Sequence, residues 1–153
     1  MSLRLAPADA VGPWSSREMV EQDIEPVGRL MLDAYRDTID YDGETLEDAV
    51  AEVRGTLEGR YGEVMRACSR LVEEAGRPVA ACVVVRSDET GTPLLAFSMT
   101  DPEFQGRGLQ TFLLGESINR LLREGHRELH LVVTEGNAPA RHLYDKLGFR
   151  ELG

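Results

Sequence analysis

Residues 94–134 restrict the fold most. The stretch opens with LLAFSMT (94–100) and closes with ELHLVVT (128–134), where residues 129, 131 and 133 are apolar and Val132 makes the run nearly continuous. Continuous apolar runs of that length suit strands covered on both faces. Between them, apolar residues fall at 109, 112, 113, 114, 118, 121 and 122, which is helical spacing. Gly125 then suits the position just past a helix end. A strand, a helix and a strand in series demand a parallel, right-handed crossover within one sheet. The chain has 153 residues, a length that suits one domain around one core. A single domain over residues 1–153 is therefore expected.

The remaining segments fit around this unit. Residues 3–7 (LRLAP) predict a first strand ended by Pro7, and residues 8–20 read as a loop. Within residues 24–39, Val27, Leu30, Met31, Ala34 and Tyr35 form one helical face. After a turn at 40–44, residues 44–59 predict a second amphipathic helix through Leu46, Ala49, Val50, Val53 and Leu57. Thr45 followed by Asp48 matches a capping box with a shorter acid. Residues 66–74 and 78–86 are rich in small and β-branched residues and flank a turn at Gly76, a hairpin signal. A second turn at 87–93 leads into the strand 94–100. Residues 138–148 predict a short helix, with Asn137 as N-cap, Pro139 in its first turn and Gly148 just past its end. Residues 149–152 (FREL) predict a last strand. The order is β-α-α-β-β-β-α-β-α-β: an α/β (α+β) fold with a mixed central sheet and helices on both faces.

The turn FQGRG (104–108) raises a chemical question, because each glycine disfavours a helix by about 1 kcal/mol relative to Ala. Gly106 and Gly108 stand where a strand ends and a helix begins. A helix N-terminus presents unpaired N–H groups and a partial positive charge. Bare glycine backbone lets a phosphate come close, so this is an anion site, most naturally for a pyrophosphate. Thr111 replaces the third glycine of a dinucleotide fingerprint, and no GK[ST] follows as in a phosphate-binding P-loop.

Charge and composition exclude other classes. There are 27 acidic and 17 basic residues, a net charge of −10, which argues against nucleic acid as a partner. The same charge is compatible with a cationic substrate such as an amine, and it also serves solubility. No apolar run approaches a membrane span, and MSLRLAPADA lacks the apolar core of a secretory signal. A cytoplasmic protein without membrane contact is expected. Cys68 and Cys82 predict buried, reduced thiols, and their spacing suits no metal site.

Two stretches together carry a family resemblance. Gln105-Gly106-Arg107-Gly108-Leu109-Gln110 resembles the Q/R-x-x-G-x-G/A phosphate loop of the GNAT superfamily of N-acetyltransferases. Leu131, Val133, Asn137, Ala140, Leu143, Tyr144, Gly148 and Phe149 resemble that family's second signature, in its order and roughly its spacing. Gln110 departs from the pattern, standing where Gly or Ala is usual. Its side chain is expected to point away from the phosphates, so that only its backbone N–H faces them.

The resemblance implies acetyl-CoA as co-substrate. It places the pyrophosphate on the N–H groups of Gly106, Arg107, Gly108, Leu109, Gln110 and Thr111, with Gln105 opening the loop. The pantetheine would lie where strand 94–100 splays from strand 128–134, against the backbone of Met99 and Thr100. Asn137 and Ala140 would border it. Tyr144 resembles the tyrosine that protonates the leaving thiolate in the family.

The acceptor is implied to be a primary amine of a small molecule or peptide. At a pKa near 10.4 it costs about 4–5 kcal/mol to deprotonate at pH 7. Relatives often carry a glutamate on the strand before the phosphate loop. LLAFSMT has none, and Ser98 is a poor base. Glu135 is the candidate base by position, with a water relay as the alternative. Asp40, Tyr41 and Asp42 fall in the loop that lines the acceptor pocket in relatives. His130 reads as a packed sheet residue, and His126 and His142 as surface residues. Relatives usually continue with a further strand, so either that strand is missing or the N-terminal region or a partner subunit covers the edge, and a homodimer is a fair expectation. The expected activity is direct acetyl transfer from acetyl-CoA in a ternary complex, with no covalent enzyme intermediate. The alternatives are a non-catalytic acyl-CoA-binding module and a domain that binds no cofactor.

Overall fold

The computed structural model describes residues 1–10, 12–133 and 136–152. In chain order its elements are β1 (Ser2–Arg4), β2 (Arg17–Glu18), α1 (Ile24–Tyr35), α2 (Leu46–Leu57), β3 (Gly62–Val64), β4 (Arg70–Glu74), β5 (Arg77–Ser87), β6 (Pro93–Thr100), α3 (Leu109–Arg123), β7 (Glu128–Leu131) and α4 (Ala138–Leu147). The strands form one seven-stranded sheet in the order β1-β7-β6-β5-β4-β2, with β3 also paired to β5. β6 and β7 run parallel, as the strand–helix–strand unit demands. The other pairs are antiparallel.

β5 sets the layering. Ala80, Cys82 and Val84 pack with Leu113, Leu114 and Leu121 of α3. Ala81, Val83 and Val85 pack with Val27 and Leu30 of α1 and Val53 of α2. Helices therefore cover both faces, which is why residues 78–85 read as an unbroken small and apolar run. Each fully buried Val or Leu contributes about 1.5–3 kcal/mol over an exposed one. Thr45 and Asp48 form the expected reciprocal capping box at α2.

Several boundaries differ from the sequence reading, each for a local reason. α1 stops at Tyr35 rather than 39, because Thr38 turns back and its Oγ1 donates to the Tyr35 carbonyl at 2.8 Å. Residues 66–68 form a 3-10 turn, so β4 starts only at Arg70. There Ser69 Oγ donates to the Met65 carbonyl and accepts from the Val84 N–H at 3.0 Å, standing in for a ladder bond. β2 and β3 are short strands in stretches without strand patterning. β7 ends at Leu131 rather than 134. The strand expected over 149–152 does not form among the described residues. Arg150 makes one antiparallel bridge to Ser2, while Phe149 is fully buried. β1 takes the edge instead, pairing Ser2, Leu3 and Arg4 with His130, Leu129 and Glu128. The edge of β7 is thus covered by the N-terminal region, one of the expected alternatives.

The α1–α2 contact depends on a glycine. A Cβ on Gly28 would lie 2.6 Å from Val50 Cγ2 and 2.8 Å from Val50 Cα. The second neighbour is backbone and cannot rotate away. Gly28→Ala should lower stability by about 1–3 kcal/mol in urea denaturation, despite the higher helix propensity of alanine. Unchanged or raised stability would show that α1 and α2 separate freely.

Candidate functional site

Strand β6 has a full partner on one side only. With β5 it pairs from Pro93 to Thr100. With β7 it pairs only at Leu94 and Leu95, opposite His130 and Leu131. Beyond Leu95 the two strands diverge, and a cavity of about 610 Å³ lies along the C-terminal half of β6. Residues 98–100 form one wall, and the first turn of α3 and one face of α4 form others. Ala34, Tyr35 and Thr38 close it from the α1 side. Alternate residues of β6 turn their carbonyls toward the diverging side. That of Ser98 is approached by Tyr35 Oη at 3.5 Å, and that of Thr100 accepts from Gln105 Nε2 at 3.4 Å. Both contacts are long and therefore weak.

The loop before α3 passes through left-handed backbone at both glycines. Gly106 and Gly108 have φ of +77° and +80°, a region side-chain-bearing residues rarely adopt. Gly108 is the N-cap of α3 and supplies no side chain, so the first-turn N–H groups have no capping side chain. No acidic residue lies in that turn, and a Cβ on either glycine would meet nothing within 4 Å. A cation-friendly carboxylate is absent here and the backbone is open, which is what a phosphate needs.

Most of the residues singled out from sequence line this cavity: Met99, Thr100, Gln105, Gly106, Gly108, Leu109, Gln110, Thr111, Asn137, Ala140 and Tyr144. Arg107 does not. Its guanidinium lies over the Phe104 ring, 5.0 Å from the centroid, and Phe104 faces the cavity. Glu135 lies outside the described residues. Asn137 caps α4 by accepting the Ala140 N–H at 3.3 Å, and its amide donates to Asp40 at 3.1 Å. The loop after α1 is thereby tied to the start of α4.

Gln110 turns toward the sheet. Its carboxamide accepts from Thr100 Oγ1 and donates to Ser98 Oγ. The Tyr144 ring packs edge-on against Phe149 at 5.5 Å. Burial pushes its phenol above the ordinary value, with a small push from Cys82, while the Ser98 side chain pulls the other way. Burial also raises the Tyr35 phenol, aided by Tyr144 and Asp40. Both phenols therefore keep their protons at neutral pH.

Sequence reasoning placed Tyr35 only on a buried helical face and His142 only on the surface. Both line the cavity, with Lys146. The i+8 position of Tyr35 in α1 predicts burial but not the neighbour it meets. His130 Nε2 is buried without a hydrogen bond, 3.5 Å from Glu128 Oε2. Cys68 and Cys82 are free and buried. Among the described residues no cluster could hold a metal ion, and no helix is long and apolar enough to cross a membrane.

A strand splayed from its parallel neighbour, beside a helix N-terminus that opens on Gly108, forms an open cleft. The family model described as "Acetyltransferase (GNAT) family" matches residues 31–149, and the chain belongs to that family. Solved structures share the fold at low sequence identity. The ribosomal-protein-S18-alanine N-acetyltransferase from Escherichia coli is 21% identical, with a TM-score of 0.69, over 92% of this chain and 79% of that one. The PaiA N-acetyltransferase from Thermoplasma acidophilum, in complex with coenzyme A, is 15% identical, with a TM-score of 0.72 and 91% of each chain covered. An aminoglycoside N-acetyltransferase in complex with CoA is 16% identical, with a TM-score of 0.67 and 94% of each chain covered. No curated protein matches the chain in sequence.

The Asn137 contacts predict a measurable split. Asn137→Ala should cost about 1 kcal/mol in urea denaturation through loss of the α4 cap. Asn137→Asp keeps the cap but sets a second carboxylate against Asp40, so its cost should shrink as salt is raised. Equal, salt-independent costs would show that the Asp40 link carries no energy.

Proposed function

We propose that the chain is an acyl-CoA-dependent N-acyltransferase that moves an acetyl group directly from acetyl-CoA to a primary amine. The observation that carries this reading is the convergence of three features on one cavity: the unpaired half of β6, the open glycine loop at α3, and the protonated Tyr144. The residues present fit the cofactor, since the loop leaves room for a pyrophosphate where a Cβ would otherwise stand. When bound, acetyl-CoA supplies an acetyl group activated as a thioester.

The protein's own residues would act as follows. Backbone N–H groups of Leu109, Gln110 and Thr111 hold the phosphates, helped by the helix dipole. Met99 and Thr100 line the path of the pantetheine arm, and Asn137 and Ala140 border it from α4. Tyr144 holds a proton beside the cavity and is the candidate general acid. Tyr35 and Thr38, from α1 and the turn after it, face the same cavity from the side left for an acceptor. The CoA complexes and the aminoglycoside acetyltransferase among the structural neighbours support a CoA donor and an amine acceptor. Glu135 remains the candidate base by sequence position, with a water relay as the alternative.

One observation favours a second reading, a non-catalytic acyl-CoA-binding module: β6 presents Ser98 and Thr100 to the cavity and no carboxylate. Amine-dependent CoA release separates the two, because a binding module shows none.

Titration calorimetry with acetyl-CoA tests the donor site. Wild type should bind at micromolar strength, roughly 8 kcal/mol. Gly108→Trp, which fills the open space before α3, should weaken binding by about 100-fold or more. Absence of binding by wild type would overturn both readings, and equal binding by the variant would remove the loop from the site.

A further inference from the structure

We propose that Asp101 and Arg77 are positioning residues: the buried Asp101 carboxylate, held by Arg77 from the start of β5, fixes the Pro102–Phe104 turn and, through it, the glycine loop that precedes α3. The proposal rests on the acyl-transfer reading and deepens it, since it names what sets the donor loop in place.

Asp101 stands where the β5–β6 ladder ends and the loop begins. Its N–H donates to the Val79 carbonyl at 2.8 Å, one residue past the last paired position, Thr100. Every polar group of the residue is used. Its carbonyl accepts from the Phe104 N–H at 2.8 Å. One carboxylate oxygen accepts from the Glu103 N–H at 2.9 Å, capping the 3-10 turn Pro102–Phe104. The other accepts from Arg77 Nη1, also at 2.9 Å. Asp101 is buried, and a buried charge is costly unless it is paired and hydrogen-bonded. A neutral Ser or Asn would cap such a turn as well. The carboxylate does what a neutral cap cannot, tying the turn to a cation 24 positions earlier in the chain. Burial by itself raises the Asp101 carboxyl. The Arg77 hydrogen bond, the Glu103 N–H and the Arg77 charge together hold it below the usual carboxylate range, so it is ionised at neutral pH.

The glycine loop is held mainly at its ends. A Cβ on Gly106 or Gly108 would meet nothing within 4 Å, and Gln105 reaches the Thr100 carbonyl only at 3.4 Å. Downstream the loop is fixed by Leu109, which is buried in the core. Upstream it is fixed by the turn that Asp101 caps. Phe104 in that turn lines the cavity, and the Arg107 guanidinium rests over its ring. A shift at Asp101 therefore moves Phe104, the Arg107 cation and the Gly106 backbone together. The cavity wall is built from Phe104, Gln105, Gly106 and Gly108 rather than from Asp101 or Arg77, so any effect of that pair on a bound pyrophosphate passes through the loop.

The first test needs no cofactor. Nitrogen-15 relaxation is measured in wild type and Asp101→Ala. Order parameters of the amides of residues 103–108 should fall from about 0.85 toward 0.6 in the variant, while those of α2 stay at their wild-type values. Acetyl-CoA binding is then titrated by calorimetry, and amine-dependent CoA release is followed. Asp101→Ala should weaken acetyl-CoA binding about 10-fold or more and raise its KM equally, with kcat within about two-fold. The Arg77 side chain is half exposed, so Arg77→Ala should weaken binding only about two- to five-fold. Arg77→Lys keeps a charged donor and should recover most of that loss. Asp101→Asn combined with Arg77→Ala should bind no more weakly than Asp101→Asn alone, because both changes remove the same ion pair. A merely structural role predicts the opposite split, a lower kcat at unchanged KM as the folded fraction falls. That split, unmoved order parameters at 103–108, or additive losses in the double variant would overturn the proposal. If wild type binds no acetyl-CoA, the acyl-transfer reading falls instead, and the order parameters still decide whether Asp101 holds the loop.

Discussion

The partial pairing of β6 is the constraint on which the rest of the structure depends. Backbone N–H and C=O groups need partners, and a strand inside a sheet usually finds them on both sides. β6 has β5 along its whole length but β7 only at Leu94 and Leu95. Had β7 continued alongside, the gap would be a filled ladder and the cavity would not exist. Its divergence leaves the Ser98 and Thr100 carbonyls facing open space, where Tyr35 and Gln105 reach them only at 3.5 and 3.4 Å. Such loosely held acceptors can exchange these donors for the N–H groups of a ligand at small cost.

A gap in a sheet must be held open by something stiffer than itself. On the β7 side, β1 adds a strand, and the Met1 amino group donates to the Leu131 carbonyl at 2.8 Å. On the β6 side, β5 is buried on both faces between α3 and the α1–α2 pair. The opening is bridged at its ends rather than its middle. Asn137 ties α4 to the loop after α1, and Gln110 ties α3 to β6. Rigid elements thus hold the polar groups, while the cavity between them stays free.

Much of this was legible in the sequence because its physical causes are local. Gly106 and Gly108 were readable as bare backbone before a helix, and both adopt positive φ. Thr45, Asn137 and Gly148 were readable as caps because capping depends on a few neighbouring residues. The glycine loop and the spacing from Leu131 to Phe149 made the family legible as well. What escaped is set by distant partners. FREL has strand-like composition, yet its strand does not form, because residues 2–4 already occupy the edge of β7 and only Arg150 meets them. Tyr35 follows the helical period faithfully, but nothing in that period says that its hydroxyl meets β6.

Gln110 shows why a departure from a pattern can carry more information than agreement with it. The position before it, Leu109, is buried in the core, and Thr111 after it is exposed. A glycine or alanine at 110 would leave Ser98 and Thr100 as isolated hydroxyls against the first turn of α3. The carboxamide satisfies both at once, and it does so with its backbone N–H still at the helix start. Its main chain stays at the helix start that the glycines leave open, while its side chain ties that turn to β6.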